Sequence, residues 1–123
     1  IVGGNPLTLA SNQQLPLEVA VDGSFVYWTT EIGVVGRLPI GGGGVLKTLL
    51  AGHEPLAGLA LDADNLYYAV TGAKGRVMKM PKGGGAPVVL AEGQDQPTSV
   101  VVDEKSVYWT NRVDGGAVMK VAK

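Results

Sequence analysis

Short runs of apolar residues, alternating with polar ones and cut every few positions by glycine, proline, asparagine or aspartate, fill this chain from end to end. "LEVAVDGSFVYWTT" (17–30) and "TSVVVDEKSVYWTN" (98–111) are rich in β-branched and aromatic residues that favour a pleated, half-buried surface. No stretch carries the i, i+3, i+4 spacing of an amphipathic helix. The pattern predicts an all-β protein of short strands joined by tight turns.

The pattern also repeats. The two segments above line up with "AGLALDADNLYYAVT" (57–71), which puts Asp22, Asp62 and Asp103 at successive spacings of 40 and 41 residues. Six residues beyond each aspartate stands an aromatic: Trp28, Tyr68 and Trp109. A strand and a glycine-rich turn follow, "GRLPIGGGG" and "GRVMKMPKGGG", and then "VLKTLLAG" and "APVVLAEG" close the unit. Each repeat is thus expected to hold strands A to D in about 40 residues, the size of one propeller blade.

On this reading residues 15–53 form the first blade, 54–95 the second and 96–123 a third that lacks strand D. The opening "IVGGNPLTLASNQQ" (1–14) aligns with "GGGAPVVLAEGQDQ", a glycine-rich turn and strand D. Residues 1–14 are therefore expected to be the outer strand of a shared blade, covering an edge that would otherwise be open to aggregation. Strands A and B are apolar on both faces, with Val26 and Trp28 pointing one way and Phe25 and Tyr27 the other, as in a blade sandwiched between neighbours.

"VDGSFVYWTT" and "VDEKSVYWTN" resemble the YWTD repeats of the low-density lipoprotein receptor family, which form six-bladed β-propellers. They also resemble bacterial propeller repeats of the form VYWTN…VMKVP.GGG. The resemblance implies six blades, hence a homodimer of two three-bladed chains, in a secreted or periplasmic setting. One departure stands out: the final Asp of YWTD, which ties neighbouring blades together in the family, is Thr30, Val70 and Asn111 here. A monomeric β-trefoil, also built from three four-stranded repeats of this length, is the alternative architecture, and the motif favours the propeller.

Composition narrows the function. With 46% hydrophobic and 17% charged residues, a packed core is expected rather than disorder. A net charge of −1 without clustered Lys or Arg argues against nucleic acid and anionic membrane surfaces. No apolar run approaches the ~20 residues of a membrane span. The chain has no cysteine, which removes disulfides and thiolate chemistry. IVGG is also how an activated trypsin-like protease begins, but a single histidine, His53, and no nucleophile motif leave no triad.

Candidate chemistry is sparse. "GGGGVLKT" (41–48) lacks the Gly directly before Lys that a phosphate loop needs, and reads as a turn between strands C and D. The repeated aspartates precede turn residues, so they are expected to cap the A–B turns rather than hold a metal, and no cofactor is implied. Glu18 lies in strand A, where a dimer would bring two copies near the channel. Six-bladed lactonases, which hold a divalent metal there, make a metal hydrolase one alternative. The loops D–A and B–C are expected to gather at one end of the channel, where propellers bind ligands. They nominate Gln14, Glu18, Glu31, His53, Glu54, Lys74, Arg76, Gln94, Asp95, Asn111, Arg112 and Asp114 as ligand-binding residues. The favoured function is a non-enzymatic binding or scaffold propeller for a glycan or peptide. A self-assembling propeller fragment or an engineered half-propeller, without a ligand, is the other alternative.

Overall fold

The computed structural model describes residues 3–123, and its described residues contain strands and turns but no helix. Strands β1 (Pro16–Val21), β2 (Phe25–Thr30), β3 (Val34–Pro39) and β4 (Lys47–Ala51) form one antiparallel meander. A second is built from β5 (Leu56–Leu61), β6 (Asn65–Val70), β7 (Gly75–Pro81) and β8 (Val88–Gln94). The third has β9 (Pro97–Val102), β10 (Ser106–Asn111) and β11 (Ala117–Ala122).

Every ladder lies within one repeat. A trefoil would weave strands of different repeats into a barrel. Here each repeat closes its own sheet, and the sheets stack face to face with β1, β5 and β9 side by side. These are propeller blades.

Alternation with a period of two explains the stacking. Tyr27 and Val35 on the first blade meet Leu59, Leu66, Tyr68, Met78 and Met80 on the second. The opposite face of the second blade, Tyr67, Ala69 and Val77, meets Val100, Val107 and Trp109 on the third. Among the described residues, only the middle blade is covered by a blade on both faces. Val19 is 69% exposed, although its counterparts Leu59 and Val100 are at 9% and 4%. Val118 is 82% exposed, whereas Val35 and Val77, at the same place in their blades, are fully buried. The first blade's leading face and the third blade's trailing face are therefore both open.

Each inner strand carries an irregularity in its pairing with the next. In β5 it falls at Gly58, whose φ of +70° and approach to the Val100 backbone leave no room for a Cβ. The close approach lets β5 and β9 lie against each other near the axis.

Residues 3–15 lie outside the strands, and Leu7–Gln13 run across the open face of the first blade. The first two residues of the expected outer strand lie outside the described residues. "GGNPLTLA" (3–10) matches "GGAPVVLA" (84–91), a register one residue away from the alignment expected for the opening segment. Two repeated contacts, given below, fix this register.

Candidate functional site

Backbone hydrogen bonds gather the B–C turns and the D–A connections at one end of the blades. Gly52 N–H donates to Gly33 O, Thr71 N–H to Pro55 O, Gln96 N–H to Gly72 O and Arg112 N–H to Gln96 O. The expected loop face is present, and two side-chain clusters stand on it.

In the first cluster Arg76, at the start of β7, reaches back to Glu54 and forms an ion pair with it. The Glu54 carboxylate raises the Arg76 pKa, so the guanidinium stays charged. His53 lies beside this pair on a small cleft of about 170 Å³ floored by Leu56, Tyr68 and Met78. Burial pushes the Tyr68 hydroxyl up to about 12, and Arg76 opposes that shift. Tyr68 is thus a neutral hydrogen-bonding group on an apolar floor.

The second cluster is built around Gln94 at the end of β8. Its Oε1 accepts from Trp109 Nε1 at 3.2 Å and from Asn111 Nδ2 at 3.1 Å. Trp109 Nε1 also donates to Asn111 Oδ1 at 3.2 Å. Gln94 and Asn111 are thereby turned toward blade-to-blade stitching. Asn111 stands where a YWTD repeat has its Asp, so one blade keeps a polar tie at that position.

The same stitch recurs at the first blade, where Trp28 Nε1 donates to Gln13 Oε1 at 3.2 Å, again across 15 residues. The counterpart of Gln94 is therefore Gln13, and Gln14 beside it is simply exposed. His53 is the equivalent residue of the middle blade, 15 positions before Tyr68. It belongs to the repeat as its variant member. Sequence reasoning missed Gln13, Trp28 and Trp109, although the recurring spacing from glutamine to tryptophan was there to be found.

The other nominated residues do not converge. Glu31, Lys74, Asp95, Arg112 and Asp114 are exposed on four connections, Arg112 and Asp114 sharing the turn between β10 and β11. Glu18 is exposed in β1 and lines a different cleft, and among the described residues no three His, Asp or Glu side chains gather as a metal cage. That cleft, about 520 Å³, lies between Leu7–Gln13 and the open face formed by Leu17, Val19, Val26, Trp28 and Leu38.

The opposite end of the blades holds the repeated aspartates. Asp62 Oδ1 accepts from the N–H groups of Asp64 and Asn65, while Oδ2 accepts from Tyr67 Oη at 2.6 Å and pairs with Lys123 Nζ at 2.9 Å. Asp22 repeats the arrangement with Ser24, Phe25, Tyr27 and Lys82. Lys82 holds the Asp22 carboxyl well below the usual range. At Asp62 burial works the other way, but Tyr67 and Lys123 outweigh it and the pKa is again depressed. Asp103 keeps the turn and the Tyr108 bond, which with its backbone bonds lowers its pKa to about 2. The aspartates thus cap A–B turns, and two of them also clamp the next blade through a lysine.

No family model matches the chain, and no curated relative matches it. A chain in a crystal structure of a nidogen/laminin complex is similar in structure, with a TM-score of 0.69 and 16% sequence identity. The match covers 89% of this chain and 61% of that one, so this chain spans less than two thirds of its length. At that identity the likeness carries the fold alone. It agrees with a stack of antiparallel blades.

Proposed function

We propose that this chain is a non-enzymatic binding propeller that works as a two-copy, six-bladed ring and takes a polypeptide ligand at its loop end. The carrying observation is the pair of open, mutually complementary blade faces. The first blade's Val19, Val26, Trp28 and Leu38 are the repeat equivalents of the residues by which the second and third blades pack on their predecessors. The third blade's Val101 and Val118 are the equivalents of the residues that receive a successor. A soluble protein rarely leaves two such faces in water. A second copy turned by a two-fold axis covers both at once.

The loop end then lines one mouth of the channel with paired ions and amides, chemistry suited to peptide carbonyls and N–H groups. The similar structure comes from a protein–protein complex, which supports polypeptide over glycan.

Light scattering tests the assembly and should give about 25 kDa, twice the 12.7 kDa chain. A peptide library and a glycan array, probed in parallel, test the ligand. Peptide capture that Arg76→Ala abolishes without changing the mass supports the reading. Glycan capture would replace the ligand class, and a dimer that captures neither would make assembly itself the function.

A further inference from the structure

We propose that Leu7–Gln13 of one copy is the outer strand of the other copy's third blade, paired along the free edge of β11. The proposal rests on the two-copy ring and adds to it an exchanged strand with a defined register. In the first and second blades the third strands, β3 and β7, are covered by β4 and β8. The outer edge of β11 has no such cover among the described residues. An uncovered edge is a row of unpaired backbone donors and acceptors, the kind that strand addition satisfies.

Leu7–Gln13 already sits where the outer strand of a preceding blade belongs. At one end, Gln13 accepts from Trp28 as Gln94, closing β8, accepts from Trp109 of the blade that follows. At the other end, a Cβ on Gly42 would lie 3.3 Å from Leu9 Cδ2. One on Gly84 would lie 3.8 Å from Leu49 Cδ2 of β4. Gly42 and Gly84 occupy the same turn of successive blades, and Leu9 and Leu49 precede Gln13 and His53 by the same four residues. The segment is thus held on the first blade at both ends, as β4 and β8 are held on the blades after them. It sits as the strand D of a blade preceding the first, with no strand C paired to it among the described residues.

The second blade supplies the register. There Gly75 pairs with Gln94, Val77 with Ala91, Met78 with Val89 and Lys79 with Val88. Carried through the repeat, Gly116 of one copy stands opposite Gln13 of the other, Val118 opposite Ala10, Met119 opposite Thr8 and Lys120 opposite Leu7. The same pairing brings Leu7, 77% exposed in the single chain, against the second copy.

The chain has no cysteine, so introduced thiols report cleanly. Ala10→Cys and Val118→Cys, made in separate chains, mixed and mildly oxidised, should give a disulfide-linked dimer on a denaturing gel. Opposed strand positions lie within the ~7 Å Cα separation that a disulfide spans. Moving the second thiol to Lys120→Cys should cut the yield several-fold. In the wild-type protein the amides of Leu7–Gln13 should exchange on the order of 100-fold more slowly than those of an open segment. A dimer by light scattering with no crosslink and fast exchange overturns the strand exchange and leaves the ring standing. A monomer overturns the ring, and the exchange with it. Should the variants fail to fold, the wild-type exchange rates still decide.

Discussion

Asp62→Ala is the sharpest test of how the blades are held together. The substitution removes the acceptor of four interactions: two turn N–H groups, the Tyr67 hydroxyl and the Lys123 ammonium. Tyr67 is fully buried, so its hydroxyl loses a partner that water replaces poorly, at about 1–3 kcal/mol. The turn loses its side-chain cap, worth about 1 kcal/mol. Because about a quarter of the Asp62 side chain remains exposed, at 24%, the ion pair with Lys123 adds no more than ~1 kcal/mol. The total is about 2–5 kcal/mol, read by urea denaturation at one fixed protein concentration, since the stability of the proposed dimer would move with concentration. Tyr67→Phe in the Asp62→Ala background should recover part of the loss, giving a coupling of ~1 kcal/mol or more. The exposed counterpart, Asp103→Ala, should cost clearly less. If Asp62→Ala costs no more than Asp103→Ala, or shows no coupling to Tyr67, the blade-clamp argument is refuted.

The same carboxylate predicts a pH dependence. Its folded pKa lies below the unfolded value of about 3.9, so the unfolded chain takes up the proton first as pH falls. The stabilisation is therefore complete above that value and fades below it, and Asp62→Ala should flatten the acid side of the stability curve.

Three further outcomes are expected. Gly58→Ala should cost about 2 kcal/mol or more in thermal or urea melts, because φ is +70° and the new methyl would meet Val100 N at 2.8 Å. Thr29→Val should be neutral or stabilising by up to ~1 kcal/mol, since the Thr29 hydroxyl is buried without a hydrogen-bond partner. Ile40→Lys should tighten the proposed dimer about two- to five-fold, as measured by dilution, and lose that gain in high salt. Ile40 makes the turn bond that Lys82 and Lys123 make in their blades, so in the proposed ring it would face Asp103 of the second copy where the inner junctions have a lysine.

The blades were legible because their causes are local. Alternation in "VYWT" and "LYYA" sets which side chains face which neighbour, and Gly or Asp at the turns sets where each strand stops. The turn role of Asp22, Asp62 and Asp103 followed from the residues just after them. What was not read was the set of contacts made between repeats. The lysines that clamp Asp22 and Asp62 lie 60 and 61 residues away, beyond the reach of a periodic pattern. Gln94 and Asn111 look like free amides on a loop until Trp109 is seen to join them. The opening segment shows why the distinction matters. Its likeness to a strand D is plain, yet a shift of one residue singled out Gln14 where Gln13 makes the bond to Trp28. In a strand that shift turns every side chain to the other face. Composition tolerates either register, and the contacts of Gln13 with Trp28 and of Leu9 with Gly42 select between them. The register of a shared blade is for that reason a property of the interface, and a crosslink between Ala10→Cys and Val118→Cys measures it where inspection of one chain's pattern cannot.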